Sequence, residues 1–187
     1  MKPVLIVVDM VNEFVHGRLS TDQSKSLIEP SIYVVNYFRK IGGKIIYLKD
    51  SHNPLDFELN VWGNHSMEND PSSDIIDELK PKPDDIVIYK HTYSGFYGTI
   101  LDNYLRALKA DSLFFIGLDA DICVRHTVAD AFFRGYNTFV IKEAVASYID
   151  KDWENYFRKV YGSRVISINE LEEILKSYNI MEKLPQQ

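Results

Sequence analysis

The only cysteine of the chain, Cys123, stands in Gly117-Leu118-Asp119-Ala120-Asp121-Ile122-Cys123-Val124, where an apolar run of buried-strand type gives way to a helical pattern. A thiol there lies at the positive end of a helix macrodipole among free backbone N–H groups, which favours thiolate and makes it a candidate nucleophile. The competing reading is a small buried hydrophobe, a common use of free cysteine. Two other residues bear on the choice. Asp9 follows Val4-Leu5-Ile6-Val7-Val8, which implies a half-buried carboxylate able to shuttle a proton. Lys90 ends Ile86-Val87-Ile88-Tyr89, and an ammonium beside a thiol stabilises thiolate by on the order of a few kcal/mol in a cleft. Cysteine, carboxylate and ammonium together form an activated-nucleophile set, whereas Asp9 and Lys90 alone would read as a buried ion pair.

A second cluster follows the second strand-like run. Asp50 and His52 are two apart and His65 lies in the same polar segment, a carboxylate and imidazole set that suits Zn²⁺ or a similar divalent metal with water in open positions. The alternative is a hydrogen-bonded loop that merely shapes a pocket. His126 lies three residues beyond Cys123 on the same predicted helix, which makes a Cys-His pair the main rival to the Cys-Asp-Lys set. His16 and His91 read as surface residues.

These groups must be held by a scaffold. Short runs rich in Val, Ile, Phe and Tyr at 4–8, 44–48, 86–89, 113–116, 138–141 and 165–168 predict strands, and helical apolar spacing predicts helices over 26–41, 73–79, 98–108, 122–134, 151–161 and 169–178. Strand and helix alternate throughout. Nearly continuous apolar strands covered by amphipathic helices imply an α/β three-layer, doubly wound sandwich on a mostly parallel sheet of about six strands. In such sheets ligands bind beyond the carboxyl ends of the strands, which is where Asp9, Asp50, Lys90 and the Cys123 turn fall. Residues 50–71 read as a long functional loop, and the tail 182–187 as frayed.

With 187 residues, 45% hydrophobic and 26% charged, the chain is expected to form a single domain spanning 1–187. The net charge of −6 comes from scattered acidic residues and offers no footprint for nucleic acid or an anionic membrane. One cysteine allows no intrachain disulfide, and the first apolar run is too short to span a bilayer, so a cytoplasmic protein is expected.

Taken jointly, Val7-Val8-Asp9-Met10 with Glu13-Phe14, Asp50-Ser51-His52, Trp62 with His65, Lys90 with Tyr93-Ser94-Gly95-Phe96 and Thr99, and Gly117 with Asp121-Ile122-Cys123-Val124, Thr127 and Asp130-Ala131 resemble the isochorismatase-like cysteine hydrolase superfamily in order along nearly the whole chain. That superfamily includes nicotinamidases (pyrazinamidases), N-carbamoylsarcosine amidases and isochorismatases. The resemblance implies a catalytic triad of Cys123, Asp9 and Lys90 acting through a thioester-type intermediate. It also implies a cis peptide between Leu118 and Asp119, with the N–H groups of Asp119 and Cys123 forming an oxyanion hole. Such donors are commonly worth about 2.7–4 kcal/mol each. Phe14 and Trp62 match positions that wall the substrate cavity. Asp50, His52 and His65 match the metal site of nicotinamidases, which often carry a further histidine between them; here Asp56 and Glu58 are the nearest substitutes.

Two departures stand out. Asp119 occupies a position where many relatives have a small residue, with Ala120 in place of a threonine, and Val11 stands where a glutamine is frequent. An Asp119 side chain inside the pocket would favour amino or ureido donors and disfavour a carboxylate. Asp50, His52 and His65 favour a nicotinamidase/pyrazinamidase, to which the sequence leans, while Asp119 and the missing histidine favour the alternative, N-carbamoylsarcosine amidase-like hydrolysis of a ureido substrate. Isochorismatase or a non-catalytic scaffold come after these. By analogy with relatives the resemblance also implies a homodimer or homotetramer.

Overall fold

A computed structural model describes residues 1–182 of the chain, the side chains of 178–182 excepted. Six strands, β1 (Pro3–Val8), β2 (Lys44–Asp50), β3 (Ile86–Lys90), β4 (Ser112–Gly117), β5 (Asn137–Val145) and β6 (Arg164–Ile166), form one all-parallel sheet in the order β3-β2-β1-β4-β5-β6. The order reverses between β1 and β4, and this switch point is where a parallel sheet opens a crevice at its carboxyl edge.

Alternation along β1 sorts its side chains onto two faces. Val4, Ile6 and Val8 pack with Leu101, Leu105, Val124, Val128, Trp153 and Phe157 from α5 (Leu101–Ala107), α6 (Cys123–Phe133) and α7 (Trp153–Tyr161). Leu5 and Val7 face the other way, onto Val34, Val35, Phe38, Leu171 and Leu175 of α3 (Ile28–Lys40) and α8 (Ile168–Glu182). Both faces of the sheet are therefore buried, and three layers result. Shorter helices α1 (Asn12–Val15), α2 (Asp22–Ser26) and α4 (Leu59–Trp62) decorate the carboxyl edge. The start of α2 is fixed by a reciprocal capping box between Thr21 and Ser24, and α7 stops at Gly162, whose φ of 61° is a left-handed cap.

The expected helix over 73–79 is not one element. Two single 3₁₀ turns, Pro71–Ser73 and Asp77–Leu79, flank an extended piece. Ile75 pairs with Val11 as an antiparallel bridge and the Ile76 N–H donates to the Met10 carbonyl, so the backbone bonds a helix would use go to the segment after β1. Likewise the last strand ends at Ile166 instead of 168. The Ser167 side chain accepts from the Glu170 N–H and Glu170 accepts from the Ser167 N–H, a capping box that starts α8 at Ile168. The expected frayed tail lies, past Glu182, outside the described residues. Among the described residues no helix is long and apolar enough to cross a membrane.

Candidate active site

Each strand end delivers its group for a local reason. The chain turns sharply after Val8, with Asp9 at a φ of 51°, a left-handed conformation aspartate tolerates better than most residues, and its N–H donating to the Leu48 carbonyl at 3.0 Å. Gly117 ends β4 with a φ of 114° against that turn. A Cβ there would come within 1.9 Å of the Val8 carbonyl oxygen, so only glycine lets β4 approach β1 closely enough to bring the Cys123 turn over Asp9. Asp50 and Lys90 are register partners at the ends of β2 and β3.

Lys90 is fully buried and joins these groups. Its Nζ lies 2.8 Å from Asp9 Oδ2, 2.9 Å from Asp50 Oδ1 and 3.6 Å from Cys123 Sγ, and donates to the Thr92 carbonyl at 3.1 Å. Burial opposes its charge, and the Asp50 and Asp9 carboxylates overcome that opposition, holding Lys90 well above the ordinary lysine range. Burial pushes Asp9 up to about 7 against the pull of Lys90. Cys123 is the first residue of α6 and buried. Burial raises its thiol well above the usual range, with Lys90 pulling down and Asp9 and Asp50 pushing up. This reverses the expectation of a resting thiolate: desolvation outweighs the helix end and the ammonium. The arrangement is a thiol beside a carboxyl poised near neutrality, which can take its proton.

The rival histidine is not brought to the thiol. His126 is exposed, with Nδ1 2.6 Å from the Ile122 carbonyl oxygen and its ring against Tyr93. His16 and His91 are exposed as expected, the latter 3.1 Å from Asp56.

Asp50 serves two neighbourhoods. While Oδ1 meets Lys90, Oδ2 faces His52, His65 and Glu58 in a buried four-residue cluster whose potential ligand atoms all lie within 4.8 Å of one another. His52 Nδ1 is 3.0 Å from Asp56 Oδ2 and His65 Nδ1 is 2.8 Å from the Gly63 carbonyl oxygen. Since both partners only accept, each Nδ1 carries the proton and each Nε2 presents a lone pair to the cluster, as in metal-binding histidines whose other ring nitrogen is held by an acceptor. Separations from Nε2 to Asp50 Oδ2 and Glu58 Oε1 run from 3.2 to 3.8 Å. Tetrahedral ligands at zinc bond lengths stand about 3.4 Å apart. Asp50 Oδ2, His52 Nε2 and Glu58 Oε2 are buried without a hydrogen-bond partner, which is costly unless a cation completes them. The donor set therefore fits Zn²⁺. Of the two expected substitutes, Glu58 joins the cluster and Asp56 stands behind His52. Elemental analysis of protein produced with zinc should find about one equivalent, removed by His52→Ala. Loss in Asp56→Asn of the carboxylate that holds His52 Nδ1 should weaken zinc affinity by about 10–100-fold. Zinc content near zero in the unaltered protein would dispose of the site.

Cys123, Asp9 and, from the cluster, Glu58 and His65 line one cavity of about 170 Å³. Phe14 and Trp62 both line it. The Phe14 ring lies 5.9 Å from that of His65, and the Trp62 indole N–H donates to the Tyr93 hydroxyl at 3.0 Å. The Leu118–Asp119 peptide is cis. Among the described residues neither the Asp119 nor the Cys123 N–H has a protein acceptor, while the Asp119 carbonyl accepts from Ile122 and Val124. Asp119 lines the cavity, half-buried, and burial followed by Asp121 and Asp9 pushes its carboxyl up to about 7. Sequence reasoning passed over Tyr148 and Arg18, which line the same cavity. Tyr148 comes from the loop after β5, and nothing local marks it.

An isochorismatase domain model matches residues 3–170. Among solved structures, N-carbamoylsarcosine amidase from Thermoplasma acidophilum is 52% identical, with a TM-score of 0.88 over 89% of this chain and 96% of that one. Nicotinamidase PncA from Bacillus subtilis is 26% identical, with a TM-score of 0.84 over 89% of this chain and 100% of that chain. The pyrazinamidase of Pyrococcus horikoshii, solved in complex with zinc, is 25% identical, with a TM-score of 0.80 over 90% and 100% of the two chains.

Proposed function

This chain belongs to the isochorismatase domain family, and from that premise we propose that it is a cysteine amidohydrolase that releases ammonia from a small carbamoyl or amide substrate. One observation carries the reading: a single buried ammonium, Lys90, touches both Asp9 and the Cys123 sulfur at the edge of a substrate-sized cavity. Asp9 takes the thiol proton as Sγ attacks the carbonyl carbon. Lys90 stays protonated and offsets the charge passing between sulfur and carboxylate. The Asp119 and Cys123 N–H groups, without a protein acceptor among the described residues, take the oxyanion. Asp9 then gives its proton to the departing nitrogen, so ammonia leaves and the acyl group remains on sulfur. Water attacks next, losing a proton to Asp9 and displacing the thiolate, which is reprotonated. The balance is amide plus water to acid plus ammonia. With a ureido substrate the acid is a carbamic acid.

The carbamoyl-amine class is favoured over the aromatic amide towards which the sequence leans. Support comes from the 52% identity to an N-carbamoylsarcosine amidase and from Asp119, an unpartnered carboxyl on the cavity wall suited to accept ureido N–H groups. Nicotinamide or pyrazinamide is the second reading, favoured by the Asp50, His52, Glu58 and His65 cluster. A zinc ion there would supply a positive centre for a ring nitrogen at the cavity floor. Ammonia release from N-carbamoylsarcosine, ureidoacrylate, nicotinamide and pyrazinamide tests the proposal, with the highest kcat/KM expected on the first. Higher kcat/KM on the ring amides would reverse the order, and no ammonia from any would overturn the activity.

Two attributes of the setting go with this reading. Bare Leu55, Phe57, Tyr97 and Phe133 near the site support a homodimer or homotetramer. A lone thiol with no disulfide partner in the chain is kept reduced in the cytoplasm, which supports that location.

A further inference from the structure

Asp121 lies in the turn that carries the nucleophile, two residues before Cys123, yet its carboxylate does not face the reacting groups. It accepts from the Ser147 hydroxyl at 3.1 Å, the Tyr148 N–H at 2.9 Å and the Ile149 N–H at 2.6 Å. The Ala120 N–H adds a bond to the Ala146 carbonyl at 2.8 Å. Four hydrogen bonds thus tie the loop after β5 to the nucleophile turn. A carboxylate that accepts two adjacent backbone N–H groups fixes their direction, because its two oxygens are rigidly spaced.

What this tether positions is Tyr148. Although 57% exposed, it lines the active cavity, with its ring edge-on to Trp62 at 6.3 Å and 81°. Trp62 is in turn held by its hydrogen bond to Tyr93. Held from both sides, the perpendicular pair forms one wall of the cavity, against whose aromatic surface a planar group bound there can pack.

We infer that Asp121 is a positioning residue for substrate recognition, holding Tyr148 against Trp62 so that the planar part of a carbamoyl or amide substrate packs on their aromatic surface. This rests on the amidohydrolase reading above. The tether's bonds end on Ala120 and Asp121 and not on Cys123, Asp9 or Lys90, so its main effect falls on binding through Tyr148.

The test compares Asp121→Ala, Asp121→Asn and Tyr148→Ala with the unaltered protein on its best substrate. Loss of one aromatic contact predicts a KM higher by about tenfold in Asp121→Ala and in Tyr148→Ala, with kcat changed less than about threefold. The double variant should be no worse than either single one, since both remove the same contact. Asp121→Asn, which keeps one acceptor oxygen, should fall between. The rate of Cys123 alkylation by iodoacetamide, which does not depend on that aromatic wall, should hold. Because the chain has only two tryptophans, a Trp153→Phe background leaves Trp62 as the sole reporter, and acrylamide quenching of it should rise in Asp121→Ala. A fall in kcat at constant KM, or an unchanged KM in Tyr148→Ala, overturns the inference. Should no substrate be turned over at all, the amidohydrolase reading fails by itself. Trp62 quenching then still decides whether Asp121 holds the pair: unchanged quenching overturns the tether.

Discussion

A Cys123→Ala protein should release no ammonia above background from the best substrate, while keeping its fold, since one buried sulfur is exchanged for hydrogen. Asp9→Asn should come close to this loss, because removing a general acid and base costs about 10²–10⁴-fold in kcat. The two differ in what pH does. Burial raises Asp9 from 3.8 to about 7. Its protonated form is thus the better tolerated one: the associated stability is complete below the unfolded value and is lost as pH climbs through about 7. Catalysis needs the opposite form, so kcat/KM of the unaltered protein should rise across the interval in which stability falls. Asp9→Asn removes both slopes, and its melting temperature should exceed that of the unaltered protein more at pH 8 than at pH 5. An acidic limb near 7 surviving in Asp9→Asn, or ammonia release by Cys123→Ala, would falsify the assignment.

That burying the Asp9 carboxyl should cost stability was not legible in the sequence, whereas its position was. Asp9, Asp50, Lys90 and the Cys123 turn follow runs of apolar residues, and a parallel sheet places such strand ends along one rim whatever the loops do. Lys90 meeting both carboxylates and the sulfur follows from register, with Asp50 beside Lys90 and Val8 beside Gly117. Burial cannot be read the same way. The helix end and the ammonium near Cys123 are visible in the chain, but the desolvation that outweighs them depends on every neighbour. Glu58 and Tyr148 reach the site from loops without periodicity, so no pattern distinguishes Glu58 from Asp56 before the loop is folded. Residues 73–79 failed for another reason. Ile75, Ile76 and Leu79 have helical spacing, and the pairing of Ile75 with Val11, more than sixty residues away, overrides it. The Ser167-x-x-Glu170 cap was legible, yet apolar Val165, Ile166 and Ile168 drew the strand boundary past it.

Lys90→Met should be the most damaging single change to the fold around the site. The methionine stem can occupy the space, but Asp9 and Asp50 then face each other and the thiol with no cation between them. Breaking a buried ion pair by removing one partner costs about 3–5 kcal/mol. For a chain of this length that lowers the melting temperature by roughly 6–20 °C at pH 7.5. Turnover should vanish as well, because nothing then offsets charge shifting between sulfur and carboxylate. The loss of stability and the loss of activity have separable causes, and Lys90→Met/Asp9→Asn separates them. With one of the two carboxylates neutral, the double variant should recover part of the lost stability and melt above Lys90→Met, a favourable coupling between neighbours. It should recover no activity, since base and cation are both gone. Equal melting temperatures for the single and double variants in chelator-treated protein would mean that Lys90 does not act as the shared counter-charge of Asp9 and Asp50.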